Sequence, residues 1–454
     1  MSQATSELVA LKNPTSSLWV AASLILLLLF GGKDFQLQTW QLPILQLCTV
    51  CLVYHAFALC RTRAYRNRLE TKILWGPCLF LLLILFQLIP FPISWVTAVQ
   101  PRVLGEVRAY GDPSGWAPFS TDSLQTLHFL LYAVMGVALY IVFRIDIRTA
   151  SIVAMKCLLC AAFLSLAIAA VQVSTGGRVF DFWNSPHVSY GPGIFANRNH
   201  QALFLGMTIA AIWWIAGRTS RSHRWPAITS TLLLLIGVIS TGSRAGMILS
   251  LLLTVGGILL FDEKVRSSSL RFKAAWAIGA STMLLFLAFV NLRVAESLLR
   301  FNAVEDDLRW TFWRGTWKAA KAFFPSGSGY GTFVDAYGLY ETIDDLSLTY
   351  ANRAHSEYLE YLLEGGLPFA IALAVALTLL LLRFKRLLQK RDKLSSTNLQ
   401  SLGGLWTVAV LLHSIVDYPA RTPAVLTLFA LGLAQFFTDD DAVAVMGKRH
   451  DQKI

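Results

Sequence analysis

The chain has 454 residues, of which 55% are hydrophobic and 15% charged, with a mean hydropathy of +0.54. That balance excludes a string of soluble domains of ordinary composition and fits a polytopic membrane protein. The formal charge of +12 does not point to nucleic acid, because the basic residues fall in short clusters between apolar runs, a pattern that orients membrane helices.

Residues 1–16 form a polar tail. The apolar run at about 17–30 lacks the charged n-region and small-residue cleavage site of a signal peptide, so it reads as an uncleaved first span. Beyond the turn Gly31-Gly32-Lys33-Asp34, a second run at about 37–60 supplies roughly the 20 apolar residues that cross a bilayer. Arg61, Arg63, Arg66, Arg68 and Lys72, set against Glu70 alone, assign the following loop to the cytoplasm. Spans three, four and five are expected at about 73–88, 124–143 and 152–173, with Arg144 and Arg148 inside. The six cysteines all lie in or beside apolar runs. The C-x-x-C pairs Cys48/Cys51 and Cys157/Cys160 have no neighbouring ligand residues, so they read as buried helical thiols.

An outer loop from 174 ends in Phe195-Ala196-Asn197-Arg198-Asn199-His200, against a sixth span at about 201–216. Arg218, Arg221 and Arg224 close that span on the inside. Spans seven and eight, about 226–239 and up to 261, are joined by Ser240-Thr241-Gly242-Ser243-Arg244-Ala245-Gly246. Lys264, Arg266, Arg271 and Lys273 return the chain to the inside before a ninth span at about 274–290. A long loop then follows. It carries seven basic and nine acidic residues between Asn291 and Glu357, and so belongs outside. Span ten, about 365–382, ends in Arg383, Lys385, Arg386, Lys390, Arg391 and Lys393. Spans eleven and twelve, about 402–415 and 424–437, flank Asp417-Tyr418-Pro419-Ala420-Arg421. The expected fold is therefore all-α, with about 12 transmembrane helices, both termini cytoplasmic and a large periplasmic loop between spans nine and ten. The chain divides into a membrane bundle at 1–290, the loop at 291–364 and the final spans and tail at 365–454.

This topology collects the unusual polar groups on the outer side: Asn197, Asn199 and His200; Arg244; Arg309 and Arg314; Arg353 and His355; Asp417 and Arg421. An arginine near hydrocarbon costs roughly 2.5–3.5 kcal/mol at mid-membrane and faces a partner or a wet cavity. Arg244 sits in too short a turn to reach far into water, although snorkelling or an interhelix salt bridge also accounts for it. In the loop, the stretch 308–323 brings Trp310, Arg314, Trp317 and Lys321 into one stripe, an interfacial face, and puts Arg309 with Trp313 about one hundred degrees away. Asp306-Asp307 caps this helix, and capping explains Glu305-Asp306-Asp307 better than a metal site does. Pro325-Ser326-Gly327-Ser328-Gly329-Tyr330-Gly331 lacks the Lys-Ser/Thr of a phosphate loop, which leaves a flexible, backbone-rich turn and no nucleotide site. His355 opens a helical pattern with Tyr358, Leu359 and Leu362. It is a general-base candidate beside arginines able to hold phosphate oxygens bidentately; a structural histidine is the other reading.

Five stretches, in order, resemble the O-antigen ligase and polymerase family over roughly 190–437. They are Phe195 to His200; Ser240 to Gly246; Asp307-Leu308-Arg309 with Trp313 and Pro325 to Gly329; Ala354-His355-Ser356-Glu357-Tyr358-Leu359 with Glu364-Gly365-Gly366; and His413-Ser414-Ile415-Val416-Asp417-Tyr418-Pro419. Ser356 stands where that family often carries Asn. The resemblance implies a metal-independent, inverting glycosyltransferase of the inner membrane, active on the periplasmic face without a cofactor. Its donor is a glycan on undecaprenyl diphosphate and its acceptor a lipid or glycan hydroxyl; no nucleic acid or nucleotide takes part. His355 matches the essential histidine, while Arg244 and Arg309 match the arginines that bind diphosphate. Arg314, Arg353, Asn197, Asn199 and Asp417 stand as possible supporting residues. Other readings are a transporter or flippase of lipid-linked glycans and a non-catalytic envelope assembly component. Ligase, polymerase and protein-glycosylating enzymes share the framework.

Overall fold

The computed structural model describes residues 14–35, 39–61, 71–100, 115–218, 224–269, 271, 279, 308–342, 351–389 and 399–438. Among these the chain is helical apart from one two-stranded antiparallel ribbon, in which Phe91 of β1 (Phe91–Pro92) faces Ala117 of β2 (Trp116–Ala117). The first six helices are α1 (Pro14–Phe30), α2 (Leu42–Arg61), α3 (Thr71–Leu88), α4 (Ile93–Val99), α5 (Ser123–Ile145) and α6 (Ile147–Ser174). Then come α7 (Arg198–Ala216), α8 (Arg224–Ser240), α9 (Arg244–Phe261) and the short α10 (Glu263–Arg266). In the loop region lie α11 (Leu308–Phe323) and α12 (Phe333–Gly338), followed by α13 (Glu357–Gln389), α14 (Leu399–His413) and α15 (Pro423–Phe436).

Five helices, α2, α5, α6, α9 and α13, are long and apolar enough to cross a membrane, and the chain is a membrane protein. Shorter apolar helices occur within α1 and α3 and as α8, α14 and α15. The count of twelve spans therefore rests on the sequence alone, and the expected ninth span and the Glu305-Asp306-Asp307 cluster lie outside the described residues. α7 is the axis of the bundle, with every residue from His200 to Trp214 buried. Small residues bring α9 against it: a Cβ on Gly246 would lie 2.3 Å from that of Ala202, and one on Gly206 would lie 2.6 Å from Ser250 Oγ. Close helix approach through small residues is how apolar helices associate without a hydrophobic gradient between them. α14 crosses α7 as well, and the Trp406 indole donates to the Met207 carbonyl at 2.9 Å.

The two ends of the bundle differ chemically. At one end Arg383 donates to the Phe436 carbonyl at 3.0 Å and Arg144 to Thr438 Oγ1 at 2.8 Å, so two cations cap the C-terminus of α15. Arg224 of α8 pairs with Asp262 after α9 at 2.8 Å at that same end. At the opposite end lie the start of α7, the α8–α9 turn, the start of α13 and the turn after α14.

Within the loop region, α11 buries Phe312, Ala319, Ala320 and Phe323 against Phe333, Ala336, Tyr337, Ala354 and Leu363. The stripe expected to lie at an interface is exposed, with Trp310 at 51% and Trp317 at 50% and Arg314 and Lys321 also exposed. The Gly/Ser stretch departs from expectation, because it is a cross-linked plug and not a flexible turn. Ser328 and Gly329 N–H groups donate to the Leu363 and Glu364 carbonyls at 2.9 and 3.0 Å. Gln87 donates to Glu364 O and accepts from Tyr330 N–H, while Gln100 donates to Gly327 O. Glycine is required here: Gly327 has φ +78, and a Cβ on it would sit 2.3 Å from the Glu364 carbonyl oxygen. α13 starts eight residues before the expected span and breaks at Gly366 (φ +58). There the Leu367 N–H turns to the Pro325 carbonyl at 2.8 Å, and Pro368 offers no N–H to the helix ladder.

Side-chain exposure identifies the positions that test orientation. In a cysteine-free background, a membrane-impermeant thiol reagent added from outside is expected to label Lys318→Cys on α11 and to spare Lys385→Cys near the end of α13. The reverse pattern would invert the topology.

Candidate functional site

The site is built around one buried carboxylate. The chain leaves α14 in a turn closed by the Val416 and Asp417 N–H groups, both on the His413 carbonyl at 3.0 Å, and Asp417 is fully buried. A buried carboxylate is tolerable only where donors replace its hydration. Asp417 receives Asn199 Nδ2 at 2.7 Å on Oδ2, Asn197 Nδ2 at 3.3 and 3.4 Å, the Tyr418 N–H at 3.0 Å and His355 Nδ1 at 3.3 Å on Oδ1. His200 Nε2 and His413 Nε2 face it at 3.8 and 4.0 Å. Burial alone pushes the Asp417 carboxyl up, but the His355 hydrogen bond and the surrounding imidazoles outweigh it and hold the group well below the usual carboxylate range. Asn197 does two jobs at once. Asn197 caps α7 by accepting the Asn199 N–H at 2.8 Å while its amide N–H donates to Asp417. An aspartate there would cap as well but place a second negative charge against the first.

His355 is held by its ring and by its backbone. It has φ +52, a region that costs a non-glycine residue about 1–3 kcal/mol and persists only where its surroundings impose it. Its ring lies parallel to Phe312, with centroids 6.0 Å apart, and edge-on to Tyr418 at 5.2 Å. The Trp313 indole reaches the His355 carbonyl at 3.4 Å. Because a carboxylate only accepts, Nδ1 must be the protonated nitrogen, which leaves the lone pair on Nε2. With 23% of its side chain exposed, the imidazole is partly open while its orienting partner is sealed. An imidazole oriented in this way by a buried carboxylate is chemically able to accept a proton at Nε2.

The two arginines expected to bind diphosphate occupy the same end of the bundle. Arg244 is the first residue of α9, after the Ser243 cap, whose Oγ accepts the Gly246 N–H at 3.0 Å. Three residues earlier, the Thr241 carbonyl receives Arg198 Nη1 at 3.4 Å, which ties this turn to the start of α7. Arg309 lies one helical turn before Trp313, on the α11 face that meets His355, and its charge acts on His413. Both guanidiniums are half-buried. Arg314, by contrast, is exposed on the Trp stripe and bonds Thr311 of its own helix at 3.4 Å.

Arg353, named from the sequence as a possible supporting residue, belongs to a buried ion network. It is buried, with Nε and Nη2 on Asp34 Oδ2 at 3.0 Å and Nη1 on Glu360 Oε1 at 3.0 Å. Burial would lower its pKa, but Glu360 and Asp34 raise it above the ordinary arginine value. Arg421 continues the chain of charges, with Nη2 3.2 Å from Glu360 and 2.5 Å from Glu364, its guanidinium lying on the rings of Phe129 and Tyr361 at 4.8 and 4.3 Å. Asp34, Glu360, Glu364 and His413 carried no role in the sequence reading. The available signal was the set of Glu357, Glu360 and Glu364 at the start of an apolar helix, which demands buried cations nearby. Among the described residues, no group of three His, Cys, Asp or Glu side chains is placed to hold a metal ion. An apolar cavity of about 280 Å³ lined by Leu83, Phe86, Phe119, Tyr330 and Leu367 shares no residue with the His355 cluster.

Residues 229–374 match the family model Wzy_C, described as O-antigen ligase. The match covers Arg244, Arg309 and His355 and stops short of Asp417, Asn197 and Asn199. No curated protein matches the chain.

Removing one partner of a buried ion pair costs about 3–5 kcal/mol, whereas a surface change stays within about 0.5 kcal/mol. Thermal unfolding in detergent is therefore expected to show Arg353→Met strongly destabilised and Arg314→Ala close to wild type. Equal stability of the two variants would mean that the Asp34–Arg353–Glu360 contacts do not hold the site together.

Proposed function

We propose that this chain, which resembles the O-antigen ligase and polymerase family over residues 229–374, transfers a glycan from an undecaprenyl-diphosphate carrier to an acceptor hydroxyl at the periplasmic face of the inner membrane. One observation carries the reading: His355 donates from Nδ1 to the buried Asp417, which leaves Nε2 as a base at the end of the bundle where Arg244 and Arg309 lie. The clustering of polar groups at one end favours an enzyme over a carrier, whose substrate site would lie near the bilayer midplane.

In the proposed step, Nε2 of His355 takes the proton of the acceptor hydroxyl as its oxygen attacks the anomeric carbon. The bond from that carbon to the diphosphate oxygen breaks, and its electron pair leaves with the lipid diphosphate. Arg244 and Arg309 stabilise the charge that develops there, fixed dipoles and cations being worth most where little water competes. A single displacement inverts the anomeric centre and needs neither a covalent glycosyl enzyme nor a nucleotide. Asp417 stays ionised and stabilises the imidazolium formed in the step. Its depressed pKa means that this support is present across the neutral range and is lost only as the pH falls below the ordinary carboxylate range.

The test is transfer in proteoliposomes with purified lipid-linked donor, with protein stability and donor binding followed in parallel. His355→Gln is expected to lose about 10² to 10⁴ in rate with donor binding retained. Arg244→Lys and Arg309→Lys keep the charge but lose the bidentate fork, so their transfer falls, while Arg314→Lys stays near wild type. Near-normal turnover in His355→Gln would remove the base and with it this function.

A further inference from the structure

Glu360 touches both segments that carry the reacting machinery. It lies one turn into α13 and is completely buried. Its Oε2 accepts the N–H of Ala354, the residue before His355, at 3.0 Å. Its Oε1 accepts Arg353 Nη1 at 3.0 Å, on the same segment, and meets Arg421 Nη2 at 3.2 Å, four residues beyond Asp417. Arg353 extends the contact to Asp34 in the turn after α1, where the Phe35 N–H in turn donates to the Arg421 carbonyl at 3.2 Å. A single carboxylate thus links the segment that bears His355 with the turn that bears Asp417.

We propose that Glu360 is a positioning residue for transfer: by holding the Ala354 N–H and the guanidiniums of Arg353 and Arg421 together, it imposes the strained backbone of His355 and sets the His355–Asp417 contact. The proposal rests on the reading of His355 as the base. The backbone of His355 is then held from both sides, by Glu360 at the preceding amide and by the Trp313 indole at its own carbonyl. Among the described residues no other carboxylate of the network bonds an amide beside His355; the Glu357 carboxylate accepts from Ser414 Oγ instead. Glu364 pairs with Arg421, and Asp34 pairs with Arg353. Glutamine at 360 presents one acceptor oxygen in place of two, so it can satisfy the guanidiniums or the Ala354 amide but not both. Aspartate keeps the charge and withdraws it by one methylene. Misplacement of a reacting group by about 1 Å is enough to cost on the order of 10²-fold in rate.

The experiment uses the full-length protein in proteoliposomes with purified lipid-linked donor, comparing Glu360→Gln and Glu360→Asp with wild type. Both are expected to lower kcat about 10- to 100-fold with donor KM within about threefold, since the arginines assigned to the diphosphate are untouched. The specific readout is coupling. In a His355→Gln background, Glu360→Asp is expected to add no further loss, because there is no base left to misplace. Glu360→Asp serves where Glu360→Gln fails to fold. Wild-type kcat in folded Glu360→Asp, or an equal further loss in the His355→Gln background, would overturn the proposal. If His355→Gln itself turned over normally, the parent reading would fail first, and the two failures are told apart by that single variant.

Discussion

Everything at the polar end of this molecule depends on burying one negative charge. Asp417 has no access to water, and its four hydrogen-bond donors come from three separate places in the chain: the start of α7, the segment before α13, and its own turn. Three of the four also have a local role. Asn197 caps a helix, the Tyr418 amide belongs to the turn, and His355 adopts a backbone conformation that its neighbours must enforce. The carboxylate therefore acts as a clamp on three helix ends, and the same clamp fixes which imidazole nitrogen is free. Stability and chemical orientation come from one set of bonds.

Around that clamp runs a second layer, the alternating charges of Asp34, Arg353, Glu360, Arg421 and Glu364. Buried ion pairs are weak evidence for stability, since desolvation offsets much of their attraction. Their value here is geometric, because the network joins the turn after α1, the segment before α13 and the turn after α14. Cation–π contacts of Arg421 with Phe129 and Tyr361 bring α5 into the same unit. The Gly/Ser plug rigidifies the opposite side of α13 through Gln87 and Gln100. A site made of loops and helix ends thus has few ways to relax, as the proposed general base would require.

Much of this was legible in the sequence, and the reason differs between levels. Apolar runs give helices because a hydrocarbon solvent forces backbone groups to bond internally, and among the described residues helices occupy the predicted apolar runs, although α13 extends well beyond its run at both ends. The Trp310–Arg314–Trp317–Lys321 stripe followed from helical period alone. His355, Asn197, Asn199 and Asp417 were singled out as polar groups at outer helix ends, and the structure brings those four together. Partner choice was not legible. Arg353 stood out only as a possible supporting arginine on the outer side, since its partner Asp34 is 319 positions away and no periodicity links them. The Gly/Ser stretch was misread for a related reason: glycine content reports backbone freedom in the unfolded chain, whereas here the glycines permit the close approach of Glu364 and Ser120. Charge and composition indicated what was unusual; only packing showed what each unusual residue faces.

The central claim is that Asp417 presets His355 as a base, and Asp417→Asn isolates it. Asparagine keeps the shape and the acceptor oxygen, but its amide can donate to Nδ1 and so place the ring proton on Nε2, the nitrogen meant to act. Transfer by the purified variant in proteoliposomes, measured alongside donor binding and thermal stability, is predicted to fall by about 10² to 10⁴ while donor still binds and the protein remains folded. Turnover within a few-fold of wild type in a folded Asp417→Asn protein would contradict the account.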